Sequence, residues 1–213
     1  MKKARCLLSL LLCALLVCFP GAAQETPDFC EEYAALNGAP TPDGLHRYAA
    51  VELGAEVPFT YAGIEEVAAL LEGGTGVLYL GFPECPWCRC LLPALYDACL
   101  RAGWTAGVVC FNAQPLRDEL SLAEDGSVQV EKEAAPAYET LLGLLYDHLT
   151  PYEGLGDESI RRIYFPTTVF VRDGEITSVH IGTLDEQEDP YVLSDAQYEA
   201  LVTTLTAQLD AIG

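Results

Sequence analysis

An apolar segment that leads into a pair of cysteines constrains the fold of this chain more than any other part of its sequence. Residues 76–82 form a short apolar run, typical of a buried β-strand. Cys85 and Cys88 follow, and Pro86 between them suits the first position of a helix, where its missing N–H costs little. We therefore expect a strand that delivers both cysteines to the N-terminus of a helix.

The spacing of the two cysteines favours thiol–disulfide exchange. Free N–H groups and the dipole at a helix N-terminus stabilise a thiolate at Cys85, and the thiolate is the species that attacks a disulfide. Cys88 lies on the same helical face, so it can close a disulfide with Cys85 or resolve a mixed disulfide formed there. We predict Cys85 as the nucleophile and Cys88 as the resolving thiol. Their disulfide is then the redox group, and we expect neither a separate cofactor nor a metal.

The first 23 residues have the pattern of a secretory signal peptide. Basic residues precede an apolar stretch at 7–19, and small residues lead to a cleavage site after Ala23. That stretch is too short to cross a bilayer comfortably, and no later segment approaches the ~20 apolar residues required. We expect an extracytoplasmic protein, secreted or associated with the cell envelope. A lipid anchor is not expected, because Val17, before Cys18, is not small.

The charge of the chain limits its partners. It contains 11 basic and 32 acidic residues, for a net charge of −21 at pH 7, and three of the basic residues lie in the signal segment. Such a field repels nucleic acids and anionic membrane surfaces. We expect no nucleic-acid partner and no strong membrane binding after signal cleavage. The acidic residues either keep an exported protein in solution or favour basic polypeptides.

The remaining pattern predicts one α/β domain, since a mature chain of this length can bury a core without disulfides. The predicted helices lie at 27–37, which has no evident N-cap, at 64–71, from Pro86 to about 101, at 134–149, and from Ser194 to about 212. The predicted strands lie at 47–53, 76–82, 105–111, 167–171 and 176–181, the last two joined by a hairpin turn at Asp173-Gly174.

The order of these elements resembles the thioredoxin superfamily over roughly residues 60–212. The matching features are Cys85-Pro86-Trp87-Cys88, Pro93 five residues further on, Phe165-Pro166-Thr167 before the hairpin, and Gly182 after it. The resemblance implies a thioredoxin-like fold, with a central mixed sheet flanked by helices. We accordingly divide the chain into a signal peptide at 1–23, an N-terminal extension at 24–58 and a thioredoxin-like domain at 59–213.

The resemblance also implies a function and a binding groove. The function is thiol–disulfide exchange with cysteine-containing exported proteins or peptides, supported by a redox-recycling partner. The proline that matches Pro166 is cis in this family and lies against the cysteine pair. The groove residues implied are Pro86, Trp87, Phe165, Pro166 and Thr167.

Two departures from the family pattern affect these expectations. Tyr79 stands six residues before Cys85, where many cytoplasmic thioredoxins carry a buried aspartate, so a proton acceptor for Cys88 is not evident. The segment at about 114–160 is longer than in minimal thioredoxins and is interpreted as a helical insertion before the cis-proline strand. The chain is similar to thioredoxin-like proteins of Gram-positive bacteria, including accessory factors that form disulfides in bacteriocins. The missing acid and the exported location favour an oxidase or isomerase over a reductase.

Two alternatives remain open from the sequence. Cys85, Cys88 and Cys90 are soft ligands suited to Cu(I) or Zn(II), although helical geometry turns Cys90 about 200° away from Cys88. The second alternative is a redox-silent accessory protein of the same fold, in which the disulfide is structural. We expect Cys99 and Cys110 to be packed as small hydrophobic residues.

Overall fold

The computed structural model describes residues 28–213. The predicted signal peptide at 1–23 and the first residues of the predicted extension, 24–27, lie outside the described residues. The helices are α1 (Phe29–Ala35), α2 (Ile64–Gly73), α3 (Pro86–Ala102), α4 (Pro136–Leu145) and α5 (Asp195–Asp210). The strands are β1 (Phe59–Tyr61), β2 (Gly76–Leu80), β3 (Val108–Phe111), β4 (Glu119–Leu122), β5 (Val128–Lys132), β6 (Thr150–Pro151), β7 (Arg161–Arg162), β8 (Thr167–Arg172) and β9 (Glu175–Ile181).

Five of these strands form one mixed sheet in the order β1-β3-β2-β8-β9. β1 and β2 run parallel to β3, whereas β8 is antiparallel to both β2 and β9. Helix α3 connects β2 to β3, because parallel neighbours need a crossover rather than a tight turn. The predicted α/β class, with a central mixed sheet flanked by helices, is confirmed.

The central strand β2 contributes to a hydrophobic core on each face of the sheet. Val77 and Tyr79 pack into a core shared with α1, α3 and α5. Leu78 and Leu80 point to the opposite face, into a core shared with α2 and α4. All five residues of β2 are buried, as expected for a strand covered by helices on both faces.

Helix α3 begins at the cysteine pair. Cys85 is its N-cap, Pro86 occupies the first helical position, and the helix continues through Pro93. Gly103 ends it with a left-handed backbone (φ 69°), a conformation that glycine adopts without steric cost. Leu92 and Leu95 are fully buried and anchor the helix to the sheet.

The segment predicted as an insertion has two structurally different parts. The β4–β5 hairpin turns at Gly126 and leaves every residue of β5 exposed. Helix α4, in contrast, buries Tyr138, Leu141 and Leu145 in the core that it shares with α2. This helix therefore completes one face of the sheet, and the hairpin is the part that projects from the fold.

Two predictions for the N-terminal region are wrong. No strand forms at 47–53, because the Asn37 side chain binds both backbone groups of Val51: its Oδ1 accepts from the N–H at 2.9 Å, and its Nδ2 donates to the carbonyl at 3.2 Å. The first strand of the sheet is β1 instead. The first helix does have an N-cap, since Asp28 Oδ1 accepts a hydrogen bond from Glu31 N at 2.9 Å.

Within residues 28–213, no helix combines the length and apolar character needed to cross a membrane.

Candidate active site

The register of the central sheet brings the cysteine pair next to Pro166. Leu80, at the end of β2, pairs with Thr167, at the start of β8. The loops that continue from these two ends therefore meet, and the Phe165 carbonyl oxygen lies 3.8 Å from Cys85 Sγ. The Phe165–Pro166 peptide bond is cis, as the resemblance implied.

Cys85 lies at the surface end of the pair, with 5% of its area exposed. Its Sγ accepts a hydrogen bond from the Cys88 backbone N–H at 3.2 Å. A hydrogen bond from the Cys88 side chain lowers the pKa of Cys85, and the backbone N–H groups of Cys88 and Trp87 lower it further against the opposing effect of burial. Cys85 is thus the cysteine of the pair that more readily forms a thiolate.

Cys88 has the opposite environment. It is fully buried, and desolvation raises its pKa well above the ordinary value, with a further rise from the neighbouring Cys85. A hydrogen bond with the Tyr79 side chain opposes this rise. The two thiols therefore differ in both exposure and acidity.

A pair of buried tyrosines occupies the region behind Cys88. The hydroxyl oxygens of Tyr79 and Tyr33 lie 3.0 Å apart, and neither side chain is exposed. Gly81 makes room for this contact, because a Cβ atom there would lie 2.9 Å from Cys88 Sγ and would collide with the Tyr79 hydroxyl. Tyr33 was not identified from the sequence, since it precedes Tyr79 by 46 residues and no pattern links the two.

Arg89, which follows the pair, is a structural cation rather than part of the thiol environment. Only 1% of its area is exposed. Its guanidinium donates to the carbonyls of Ala49 (2.7 Å), Pro83 (3.1 Å) and Tyr33 (2.9 Å), and to Asn37 Oδ1. These bonds tie the segment before β1 to the helix that carries the cysteines.

Two cavities flank the surface formed by Trp87 and Phe165. The larger, of about 400 Å³, is lined by Cys85, Pro86 and Trp87 on one side and by Phe165 on the other. The smaller, of about 220 Å³, lies between Trp87, Phe165 and residues 181–185. An extended chain lying across Phe165 would therefore have a cavity on each side for its side chains.

Of the five predicted groove residues, Pro86, Trp87 and Phe165 line these cavities. Pro166 and Thr167 are buried. The Thr167 hydroxyl donates to the Tyr164 carbonyl at 2.6 Å, and the Pro166 carbonyl accepts from Gly182 N at 2.8 Å. These two residues hold the groove backbone in place, and their side chains do not line it.

Cys90 faces away from the pair and is engaged elsewhere. Its thiol donates to the Pro190 carbonyl at 3.4 Å and accepts from Gln187 Nε2 at 3.6 Å. It is buried, and this burial raises its pKa. Cys90 thus anchors the loop before α5 instead of facing Cys85 and Cys88.

The other cysteines do not take part in the site. Cys99 and Cys110 are fully buried, as predicted, and burial raises the pKa of Cys99 to about 12. Cys30 is half-buried in α1, where burial and the nearby Asp28 raise its pKa. In the part of the chain that the structure describes, no group of three or more His, Cys, Asp or Glu residues is arranged to hold a metal ion.

Comparisons with protein-family models, with curated proteins and with solved structures found no match.

Proposed function

We propose that this chain is a thiol–disulfide oxidoreductase of the thioredoxin superfamily that acts on cysteine-containing exported proteins or peptides. The observation that carries the proposal is the unequal environment of Cys85 and Cys88. One thiol is partly accessible with a lowered pKa, and the other is sealed in the core with a raised pKa. Such a difference suits a nucleophile and a resolving thiol, and a purely structural disulfide does not require it.

The sheet supports the assignment to this superfamily. Its order, β1-β3-β2-β8-β9, combines a parallel β2-α3-β3 crossover with an antiparallel hairpin, and the cysteines lie where β2 leads into α3. The implied cis-proline loop lies beside them. These features agree with a thioredoxin-like domain at 59–213, to which the preceding segment adds the buried Phe29 and Tyr33.

The exchange reaction needs only the two thiols of the pair. In the oxidising direction, a substrate thiolate attacks Cys85 Sγ and breaks the Cys85–Cys88 disulfide. This step gives a mixed disulfide and a Cys88 thiolate, which takes up a proton. A second substrate thiolate then attacks the substrate sulfur and releases the oxidised substrate and the Cys85 thiolate. Two electrons pass to the enzyme, and a recycling disulfide partner must remove them.

The missing buried acid and the predicted exported location favour the oxidising or isomerising direction, and the lowered pKa of Cys85 is compatible with it. Stabilising the thiolate stabilises the reduced enzyme, so its disulfide becomes a stronger oxidant. In the isomerising direction, the same thiolate attacks a wrong substrate disulfide and leaves when the correct one forms. Both roles fit the extracytoplasmic location that the N-terminal sequence predicts.

A Cu(I) or Zn(II) site at Cys85 and Cys88 would lack Cys90 as its third ligand. Cys90 Sγ is bonded to Pro190 and Gln187, about half a helical turn away from the pair. Cys85 and Cys88 alone would leave a Zn(II) ion two ligands short of its usual four. The exchange reaction is therefore the function that the site supports best.

Catalysed disulfide exchange is the direct test of this proposal. The protein should accelerate the oxidative refolding of a reduced disulfide protein and the reduction of insulin by dithiothreitol. Cys85→Ser should remove both activities, whereas Cys30→Ser, a change at a half-buried thiol outside the site, should retain them. Equal rates for Cys85→Ser and the wild type would overturn the proposal and favour a redox-silent accessory role.

A further inference from the structure

The larger cavity beside Cys85 contains a basic side chain in an otherwise strongly acidic protein. Two charged residues line this cavity, Glu84 and Arg117. Glu84 precedes Cys85 and is exposed, whereas Arg117 is half-buried on the other side. Arg117 therefore places a positive charge beside Cys85 in a chain whose net charge is −21.

Phe165 lies between Arg117 and the sulfur of Cys85. Its guanidinium carbon lies 5.4 Å from the centroid of the Phe165 ring, and the carbonyl of the same Phe165 lies 3.8 Å from Cys85 Sγ. The peptide group between Leu116 and Arg117 is held at both of its polar atoms, since the Arg117 N–H donates to the Gln114 carbonyl at 3.4 Å and the Leu116 carbonyl accepts from Ala135 N at 2.9 Å. The cation therefore lies at a defined place beside the groove.

The Arg117 guanidinium has no polar partner within residues 28–213. No hydrogen bond or ion pair from its side chain occurs there, and the adjacent Asp118 pairs with Arg162 instead, at 3.8 Å. The charges of Arg162 and Asp118 both act on Arg117, in opposite directions, and the pair leaves the Arg117 donors themselves without an acceptor. A half-buried guanidinium whose five donors lack protein acceptors is suited to bind an external anion.

We propose that Arg117 forms an anion subsite that binds an acidic side chain, Asp or Glu, close to the reactive cysteine of the substrate. This inference rests on the proposed function and specifies its substrate class. A carboxylate can accept two parallel hydrogen bonds from a guanidinium, and an extended peptide advances about 3.3 Å per residue. A substrate strand with its sulfur at Cys85 would thus bring a side chain two or three residues away to the far end of the cavity.

The positive charge of the subsite is opposite in sign to the net charge of the protein. At long range the acidic surface repels acidic peptides and attracts basic ones, and salt weakens this effect. The contact at Arg117 is local and partly shielded, so it persists at higher ionic strength. Its effect is therefore best measured as a ratio of rates between two peptides, compared between variants.

The experiment uses three peptides that differ at one position. Each has blocked termini, which excludes a terminal carboxylate, and a single cysteine linked as a 2-pyridyl disulfide, with Glu, Gln or Lys two residues from the cysteine. Attack by the Cys85 thiolate forms the peptide mixed disulfide and releases pyridine-2-thione, which is followed by its absorbance. We expect Arg117→Gln to lower the Glu-to-Gln rate ratio about threefold to tenfold. Arg117→Glu should lower this ratio further and raise the rate for the Lys peptide.

Arg172→Gln is the matched control, because it makes the same change in net charge at an exposed residue of β8, away from the groove. It should leave the ratio unchanged at 0.15 M salt. An equal fall in all three rates for Arg117→Gln, or the same fall in the Glu-to-Gln ratio for Arg172→Gln, would refute the anion subsite. Neither result would affect the proposed oxidoreductase function. Thione release that is no faster for wild type than for Cys85→Ser would overturn the proposed function as well.

Discussion

The hydroxyl groups of Tyr33 and Tyr79 form a hydrogen-bonded pair, 3.0 Å apart, in the core behind Cys88. The Tyr79 side chain also lowers the pKa of the Cys88 thiol, against the effect of burial. Tyr79 occupies the position, six residues before Cys85, where many cytoplasmic thioredoxins carry a buried aspartate. The resolving thiol therefore has a neutral hydroxyl as its buried polar neighbour, and a second hydroxyl holds the first in place.

Removing the Tyr79 hydroxyl should slow the resolving step. In Tyr79→Phe, the buried Cys88 thiolate loses a hydrogen bond, so the pKa of Cys88 rises further and release of a mixed disulfide at neutral pH slows about threefold to tenfold. Stopped-flow measurement of peptide release from Cys85 checks this. Tyr33→Phe, which removes a hydroxyl bonded to Tyr79, should have a smaller effect. Release at the wild-type rate in Tyr79→Phe would show that the contact has no kinetic role.

Gly81 should not tolerate a side chain. In Gly81→Ala, the new methyl group would press on the Tyr79 hydroxyl and on Cys88 Sγ. We expect a loss of about 1–3 kcal/mol in the free energy of unfolding, measured with urea, together with slower exchange. The control is Gly143→Ala in the exposed part of α4, where the added methyl meets no atom within 4 Å. That change should stabilise the protein by up to about 1 kcal/mol. Equal effects at the two positions would contradict the packing described behind Cys88.

The pH dependence of alkylation should distinguish the two cysteines. Because the pKa of Cys85 is lowered, its reaction with iodoacetamide should persist below the ordinary cysteine range and decline only as the pH falls through that lowered pKa. Cys88 should remain unmodified across the same range. Cys88→Ala should move the Cys85 profile to higher pH, and Cys88→Ser, which keeps a donor, should move it less. Mass spectrometry of the modified peptides gives both profiles, and coincident profiles for Cys85 and Cys88 would refute the assigned roles.

Arg89 should contribute much more to stability than an exposed arginine. Arg89→Met removes the donor from the Ala49 and Pro83 carbonyls and one of two donors from the Tyr33 carbonyl and from Asn37 Oδ1, so we expect a loss of about 3–5 kcal/mol in the free energy of unfolding. Arg101→Met removes an exposed ion pair with Glu199 and should cost less than about 1 kcal/mol. Urea unfolding of both variants tests the difference, and similar losses would mean that the bonds of Arg89 are dispensable.

Local signals in the sequence were sufficient for the elements that carry the cysteines. The apolar run and Pro86 predicted β2 and the start of α3, where the structure has them. The hairpin could also be predicted from the sequence. Asp173 (φ 52°) and Gly174 (φ 78°) both adopt the left-handed backbone that a tight two-residue turn requires. These features depend on neighbouring residues, which a sequence pattern can detect.

The features that were missed depend on residues far apart in the chain. The segment 47–53 has a strand-like pattern, but the Asn37 side chain takes the backbone groups of Val51. The contact of Tyr33 with Tyr79 and the position of Arg117 beside Phe165 arise only when the sheet has assembled. Tertiary hydrogen bonding and packing decide these features, and no local periodicity encodes them.

In either direction of exchange, the proposed mechanism passes through a mixed disulfide between Cys85 and the substrate, and Cys88 resolves this disulfide when the substrate is reduced. Intact-mass analysis of the reduced Cys88→Ser variant after incubation with disulfide-bonded insulin tests this mechanism most directly. The resolving thiol is missing in this variant, so the mixed disulfide accumulates. We predict one covalent adduct that dithiothreitol removes and that peptide mapping assigns to Cys85. Absence of an adduct, or its assignment to Cys30 or Cys90, would contradict the mechanism.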